Sequence, residues 1–477
     1  MRFAAIDQGT TSTRALVLGE DGQLQVVHHV EHRQIYPQAG WVEHDPVELI
    51  KNIQACADAL GVVEAIGIDN QGESCLAWDA VSKVALSPVI VWQDNRTSDK
   101  IDSLKEQGAE ADILARAGLP LDPYFSASKL AWILQHIPAA AAAHARGKLR
   151  LGTTDAFFLD RLTGKFVTDV STASRTSLMN LRTLQWDQTL CELFGVPVET
   201  LPEIVSTTGD FGAIETANGP LQVTASIVDQ QAALYGFGCR KTGDAKITFG
   251  TGAFALMITG DRLHQQPEQG LLPTVAWKLA EEAPVYALDG GVYTASAAVN
   301  WARSLGLFSD FSQINSFEAD PAYVRGLCFV PALAGLGCPH WDADARGTWL
   351  GLSLDHGAQD LVQAILEGVA CRTAEVTEAM NNCVPLPASL PIDGGMSKNA
   401  YFNQFLADVL EREIRPASFP ELTGLGTAQL AAKALGHSVP EAMPFGSFSP
   451  GTNRRAAREL FSKAREMSKQ WARNSLV

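Results

Sequence analysis

The chain of 477 residues carries 53 acidic and 37 basic side chains, which gives a net charge of −16, and 46% of its residues are hydrophobic. This balance is typical of globular proteins and excludes an intrinsically disordered chain. The negative charge argues against a broad nucleic-acid or anionic-membrane surface, because both would repel it. We therefore expect neither as a partner, and the length is that of about two or three domains.

The eight cysteines are scattered, and none lies two residues from another. This spacing excludes the common zinc and dithiol motifs and favours reduced, buried thiols. No apolar run approaches the roughly 18 residues of a membrane span, and the N-terminus lacks the apolar stretch of a signal peptide. We expect a cytoplasmic protein.

The first elements in chain order form an antiparallel meander. Strand-like residues 3–6 lead into a polar turn at 7–14, and further apolar runs follow at 15–18 and 24–27. The same layout of strand, glycine- and threonine-rich turn and strand returns at 245–258. It predicts an internal duplication with two similar halves facing each other. A chance similarity is the alternative, and the layout alone does not choose between them.

The remaining chain alternates between strand and helix patterns. Residues 65–68 and 89–92 are typical of short buried strands, and helical spacing begins at Asp360, with that residue as a candidate N-cap. Further helices are predicted at 402–410 and 424–436. Strands that alternate with helices of this length indicate an α/β architecture, with a domain boundary near Ala225.

Three turns have a composition suited to phosphate. Gly9-Thr10-Thr11, Gly250-Thr251-Gly252 and Gly394-Gly395 each follow a strand-like run. Glycine lets backbone N–H groups approach an anion closely, and threonine hydroxyls add donors. Each turn taken alone is more simply structural, but together the three make phosphate binding a serious hypothesis.

Aspartates stand beside these turns. Asp7 and Asp393 each end a strand directly before a phosphate-like turn, where a carboxylate is placed to hold Mg²⁺ or simply to cap the turn. Asp229 lies at a strand-to-helix junction. It is a candidate general base or a helix N-cap, and the pattern alone favours the cap.

Longer motifs carry a resemblance to a known family. Residues 7–14, 40–46, 122–126 and 229–236 resemble blocks of the FGGY carbohydrate kinase family, most closely those of its glycerol kinases. The family's two signatures are matched at 124–136 and from 347 to 367. The similarity extends in order from residue 2 to about residue 437.

The resemblance implies an α/β fold of two actin/hexokinase-like (ribonuclease H-like) domains, at 1–225 and 226–477, with a catalytic cleft between them. It implies transfer of the γ-phosphoryl group of ATP, with Mg²⁺, to a hydroxyl of glycerol or a closely related small polyol. It also allows for a homodimer.

Site residues follow from the resemblance position by position. Asp229 corresponds to the catalytic base, and Asp7 to the carboxylate that organises Mg²⁺. The residues that correspond to substrate-binding positions are Glu73, Trp92, Tyr124, Asp229 and Gln230. The residues that correspond to phosphate and nucleotide positions are Thr10, Thr11, Ser12, Arg14, Thr251, Gly252, Ser296, Asn300, Gly395 and Asn399.

One departure puts the substrate in doubt. Glycerol kinases usually have Asn-Gln-Arg-Glu at the polyol site, whereas this chain has glycine at position 72. Gly72 would leave a void without donors, which suggests a larger polyol or a ketose as an alternative, unless Arg96 or Lys129 fills the gap. A catalytically silent sugar-binding regulator and an actin-like or chaperone-like ATPase are further alternatives. Residues 214–222 lack the glycine-rich, basic loop that binds fructose bisphosphate in regulated members, so we expect no such inhibition.

Overall fold

The computed structural model describes residues 1–417, 421–439 and 446–475. Within these residues the strands, in chain order, are β1 (Phe3–Gln8), β2 (Ser12–Leu18), β3 (Leu24–Glu31), β4 (Glu43–His44), β5 (Ala65–Asn70), β6 (Cys75–Asp79), β7 (Val89–Ile90), β8 (Leu149–Thr153), β9 (Val167–Asp169), β10 (Met179–Asn180), β11 (Gln185–Trp186), β12 (Glu203–Val205), β13 (Ala213–Thr216), β14 (Gly219–Val228), β15 (Ala245–Phe249), β16 (Ala253–Gly260), β17 (Leu272–Trp277), β18 (Val285–Val292), β19 (Cys328–Val330), β20 (Thr348–Leu350), β21 (Ser389–Gly394) and β22 (Glu413–Pro416).

The α-helices of the described residues, in chain order, are α1 (Pro46–Ala59), α2 (Ser98–Glu106), α3 (Glu110–Ala117), α4 (Ser126–His136), α5 (Pro138–Ala145), α6 (Thr154–Leu162), α7 (Val170–Ala173), α8 (Gln188–Phe194), α9 (Asp229–Gly236), α10 (Ser296–Ser304), α11 (Ala358–Cys383), α12 (Ala400–Leu410), α13 (Leu422–Ala434) and α14 (Arg455–Ser475). Among them, none combines the length and the apolar character that crossing a bilayer requires.

Two six-stranded sheets confirm the internal duplication. The first has the order β13-β14-β5-β1-β2-β3, and the second has the order β17-β18-β16-β15-β21-β22. In the first, β1, β2 and β3 are antiparallel, whereas β5 and β14 run parallel to β1. In the second, β15, β16 and β18 are antiparallel, and β21 and β22 run parallel to β15. Both halves therefore have the same five-stranded core, as the ribonuclease H-like prediction requires.

Two helices cross between the sheets, and each packs on the sheet of the other half. Helix α9 follows β14 of the first sheet but buries Leu234 and Tyr235 against strands of the second. Helix α13 follows β22 of the second sheet but packs Leu425 against β1 and β2 of the first. The helices touch through glycine, because a Cβ at Gly236 or Gly426 would collide with backbone of the other helix. This close crossing brings the starts of both helices to the gap between the halves.

Most predicted elements are confirmed, with small shifts at their ends. The strand predicted at 89–92 is shorter, at Val89–Ile90. Helix α11 begins at Ala358 rather than at Asp360, whose carboxylate instead accepts a hydrogen bond from the N–H of Gly357. All eight cysteines are free, and seven of them are buried.

Candidate active site

A cavity of about 160 Å³ lies between the two halves. The structure places all five residues of the predicted substrate set on its wall: Glu73, Trp92, Tyr124, Asp229 and Gln230. Thr10, expected at the phosphate, also lines it, and β16 and β18 of the second sheet contribute Phe254 and Asp289. The sequence-predicted site is thus brought together from elements that are far apart in the chain.

Asp229 is the first residue of α9 and lies on the cavity wall, so it is not the N-cap that the local pattern favoured. Its Oδ1 accepts a hydrogen bond of 2.6 Å from the N–H of Gln230. Burial raises the pKa of Asp229 to about 7, and the negative charges of Glu73 and Asp7 add to the increase. A carboxylate with this pKa is a far better proton acceptor near neutral pH than an ordinary aspartate.

Glu73 has a left-handed backbone, with φ of 60°, which is rare for a residue with a side chain. Its carboxylate accepts a hydrogen bond of 2.6 Å from Nε of Arg175, and Nη2 of Arg175 lies 3.3 Å from Asp289. All three side chains are nearly enclosed. Burial raises the pKa of Glu73, and the guanidinium of Arg175 opposes that shift. The carboxyl group of Glu73, on a left-handed backbone, is thereby held against the cavity.

An aromatic pair forms another wall of the cavity. The rings of Trp92 and Tyr124 meet edge to face, with centroids 5.5 Å apart. The indole Nε1 of Trp92 donates a 3.1 Å hydrogen bond to the hydroxyl of Thr10. The apolar ring faces are therefore fixed in place beside three acidic side chains, an arrangement that suits a molecule with carbon–hydrogen faces and several hydroxyls.

A buried lysine contacts a residue of the cavity wall. Nζ of Lys246, on β15, donates 2.8 Å and 2.7 Å hydrogen bonds to the side chains of Gln230 and Thr248. Its charge also acts on Asp229, where it lowers the pKa in opposition to burial. Lys246 thus orients one predicted substrate contact and partly neutralises the acidic cluster.

The first predicted phosphate turn joins β1 to β2. Asp7 is the next-to-last residue of β1 and pairs in register with Asp69 of β5, and burial raises the pKa of both carboxyl groups. Thr11 is exposed and Ser12 is buried. Arg14 donates a 2.5 Å hydrogen bond to Glu421, at the start of α13, so this arginine already links the two halves.

Four of the residues predicted at nucleotide positions line a second and larger cavity of about 410 Å³. Ser296, Asn300, Gly395 and Asn399 line it. Thr251 and Gly252 lie in the adjoining turn between β15 and β16, where the carbonyl of Thr251 accepts the N–H of Ala295.

Asn399 shapes this cavity rather than offering it a free polar group. Its side chain accepts from the N–H of Phe402 and donates to the carbonyl of Ile314, both at 2.8 Å. Both ends of the amide are therefore occupied within the protein.

The surroundings of Gly72 differ from the expectation in two ways. Gly72 lines the cavity, but the space directly beside it is not free, because a Cβ there would lie 2.8 Å from Cγ2 of Val228. Arg96 does not reach the cavity, since it pairs with Asp94 and Glu43 and stacks on Trp41.

Lys129 does not fill the gap either. Its Nζ donates a 2.6 Å hydrogen bond to the carbonyl of Tyr124 and lies 3.5 Å from that of Val91. The cation on the cavity wall is instead Arg175.

Sequence reasoning missed Arg175, Lys246 and Asp289. A run of small polar residues from Ser171 to Ser177 is entirely buried around Arg175, which is unusual for such a composition. That run was a usable signal for a functional segment. Lys246, in the middle of an apolar strand, was another.

Comparison with known proteins identifies the family. The model for the FGGY family of carbohydrate kinases, N-terminal domain, matches residues 3–236, and the model for the C-terminal domain of the same family matches residues 245–435. The chain belongs to the FGGY family of carbohydrate kinases. It is therefore a phosphotransferase with an alcohol group as acceptor.

Relatives within the FGGY family are similar over most of their length. Glycerol kinase of Ectopseudomonas mendocina is 42% identical over 446 residues, which cover 91% of this chain and 90% of the relative. Glycerol kinase of Trichlorobacter lovleyi is 40% identical, and the similarity covers 98% of this chain and 99% of that relative. The crystal structure of Plasmodium falciparum glycerol kinase with ADP superposes with a TM-score of 0.90 at 30% identity, covering 98% of both chains.

Proposed function

We propose that this protein transfers the γ-phosphoryl group of ATP to a hydroxyl of glycerol or a closely related small polyol, forming glycerol 3-phosphate from glycerol. The observation that supports this most directly is the position of Asp229, whose carboxyl has a pKa of about 7 and lines the cavity between the halves together with Glu73. The similarity to glycerol kinases at about 40% identity supports the same substrate.

The chemistry of the cavity favours a reduced polyol. Glu73, Asp229 and Asp289 offer hydrogen-bond acceptors, which the hydroxyls of a polyol can satisfy as donors. The ring faces of Trp92 and Tyr124 suit the carbon chain. An anionic acceptor such as a sugar acid would meet three carboxyl groups and only one cation, Arg175.

ATP is assigned to the gap beyond Asp229. The 410 Å³ cavity beside α10 has an apolar floor of Val299 and Leu366, which suits a purine ring. The turns at Gly9–Ser12 and Gly250–Gly252 end β1 and β15, the equivalent first strands of the two halves, so both can direct N–H groups at phosphates. The superposition on a structure with ADP supports this placement.

The residues around Asp7 fit Mg²⁺. Asp69 is fully buried beside the partly buried Asp7, and Oδ1 of Asp69 has no hydrogen-bond partner. In the part of the chain that the structure describes, no group of three or more His, Cys, Asp or Glu side chains could hold a metal alone. Mg²⁺ typically takes one or two carboxylates together with phosphate oxygens, so Asp7 would hold it jointly with ATP. When bound, the ion supplies positive charge to the phosphates.

The side chains then have distinct roles. Glu73 and Gln230 orient the polyol, and Asp229 accepts the proton of the attacking hydroxyl, which becomes acidic only as its oxygen bonds to phosphorus. Arg14 and the turn N–H groups neutralise charge that spreads over the phosphoryl oxygens. The two halves exclude water, which would otherwise accept the phosphoryl group.

The proposal also covers the organisation and location of the protein. We propose two domains, at residues 1–225 and 226–477, and a cytoplasmic location.

The test is steady-state kinetics with MgATP and a panel of acceptors: glycerol, erythritol, threitol, xylitol, ribitol and ketopentoses. We expect glycerol to have the highest kcat/KM. The alternative is a kinase for a larger polyol or ketose, and a hundredfold preference for such a substrate would establish it instead. Binding of a polyol without any ATP turnover would indicate the silent regulator.

A further inference from the structure

Gly72 and Val228 meet in the wall of the polyol cavity. Gly72 directly precedes Glu73, and Val228 directly precedes Asp229, so the pair lies between the two carboxylates of the proposed site. A Cβ at position 72 would approach Cγ2 of Val228 to 2.8 Å, closer than the 3.0 Å below which a neighbour must move. A side chain at position 72 would therefore compete with Val228 for the same space.

Backbone conformation does not explain the glycine at position 72. Among the residues that the structure describes, twenty glycines have a positive φ, and Gly72 is not one of them. A positive φ is therefore not what requires glycine at this position. What excludes a side chain at this position is the methyl group of Val228.

The position of Val228 is fixed by its burial and by its backbone hydrogen bonds. It is 2% exposed and is the last residue of β14, where it pairs in register with Asn70 of β5. Its N–H donates a 3.1 Å hydrogen bond to Oγ of Ser171. Valine is also restricted in χ1, so the methyl groups stay in the cavity wall.

We propose that Gly72 and Val228 are a reciprocal steric pair and that Val228 determines the length of the polyol that the site accepts. This inference rests on the proposed function and specifies the substrate. The methyl groups of Val228 form the wall between Glu73 and Asp229, so this wall is apolar and a Cβ at position 72 has no space beside it. The glycine therefore does not enlarge the site, and Val228 leaves space for a three-carbon polyol in preference to longer ones.

The test is a double-mutant cycle of Gly72→Ala, Val228→Ala and the double variant, with kcat/KM measured for glycerol and erythritol. Gly72→Ala should lower kcat/KM for glycerol about tenfold, because its Cβ displaces Val228 or Glu73. Val228→Ala should raise the ratio of erythritol to glycerol about tenfold, since one carbon unit is worth at least that much in a fitted pocket. The double variant should recover most of the glycerol activity that Gly72→Ala loses.

Two matched controls separate this effect from general loss of packing. Val223→Ala truncates a buried valine of the same strand that packs in the core of the first half, away from the cavity. Gly209→Ala adds a Cβ with no atom within 4 Å. Neither should change the erythritol-to-glycerol ratio, and thermal unfolding of every variant checks that it is folded.

Val228→Thr keeps the shape of valine and provides a second test should Val228→Ala not fold. Its ratio should stay within about threefold of the parent, because the width of the cavity is unchanged. The proposal is overturned if Val228→Ala leaves the ratio unaltered, if Val228→Thr changes it as alanine is expected to, or if the double variant is no better than Gly72→Ala. If the parent phosphorylates no polyol, the proposed function fails, and calorimetric binding of glycerol and erythritol to the same variants still tests the pair.

Discussion

Arg175 donates a 2.6 Å hydrogen bond from Nε to the carboxylate of Glu73, and this buried pair links the polyol cavity to both halves of the protein. The same guanidinium reaches Asp289 on β18 of the second sheet. Glu73 is held in a left-handed conformation, and such strain persists only where surrounding contacts enforce it. Arg175 therefore connects the two halves of the protein and positions Glu73 in the site.

Replacement of Arg175 by methionine should destabilise the protein and impair substrate binding together. It would leave Glu73 and Asp289 buried without their cation, which typically costs about 3–5 kcal/mol of unfolding free energy. Urea denaturation measures that loss, and KM for glycerol should rise as Glu73 is released. Lys165→Met, which removes an exposed pair with Asp210, is the control and should cost at most about 1 kcal/mol. Equal losses in the two variants would contradict the importance of the buried pair.

Asp229→Asn should remove the proton acceptor without disturbing the fold. We expect kcat to fall by about 10²–10⁴-fold, which is the usual contribution of a general base. Glycerol binding measured by calorimetry should be much less affected, because asparagine keeps the size of the side chain. A variant that turns over as fast as the parent would show that Asp229 is not the base.

The raised pKa of Asp229 predicts a pH dependence of activity. Only the ionised carboxylate accepts a proton, so kcat/KM should rise as pH increases through about 7. Glu73, Asp7 and Lys246 are the charged groups that act on this carboxyl, with the first two raising its pKa and the lysine lowering it. A flat profile between pH 5 and pH 9 would contradict this assignment.

The same pKa predicts an effect on stability. Because the folded-state pKa of Asp229 lies above its unfolded value of about 4, its contribution to stability is present in acid and is lost as pH rises through about 7. Asp229→Asn should therefore gain in melting temperature relative to the parent between pH 4 and pH 8. No relative gain over that range would refute the raised pKa.

Gly395 should control access to the larger cavity. A Cβ there would be 3.8 Å from Oγ of Ser296, which is ordinary contact, so alanine fits, whereas a longer side chain must enter the cavity. Gly395→Leu should weaken ADP binding at least about tenfold by calorimetry, and Gly395→Ala should weaken it less. Glycerol binding to both variants serves as the control. Unchanged ADP affinity in the leucine variant would place the nucleotide elsewhere.

Fructose 1,6-bisphosphate should not inhibit the enzyme. The segment that would bind it forms the β13–β14 hairpin, with Glu215 and no basic residue between 213 and 222. A bisphosphate would find no cation there to pair with. Initial rates at increasing concentrations of the sugar bisphosphate measure this directly, and a dose-dependent loss of activity would refute it.

The sequence by itself determined the fold class and the family, and it suggested the duplication, which the two matching sheets then decided. These depend on local patterns, such as the strand–turn–strand layout at residues 3–18 and 245–258, and on motifs of eight or more residues in order. The candidate substrate residues Glu73, Trp92, Tyr124 and Asp229 were also predicted from motifs, and the structure brings them to one cavity.

Only the tertiary structure decided what surrounds those residues. Val228 closes the space at Gly72, although it lies 156 residues further along the chain. The cation on the cavity wall is Arg175, 103 residues after Gly72, rather than Arg96 or Lys129. The pKa of about 7 at Asp229 likewise arises from burial and from charges on other segments of the chain. Contacts between distant segments depend on how two sheets and two crossing helices pack, and no local pattern in the chain encodes that geometry.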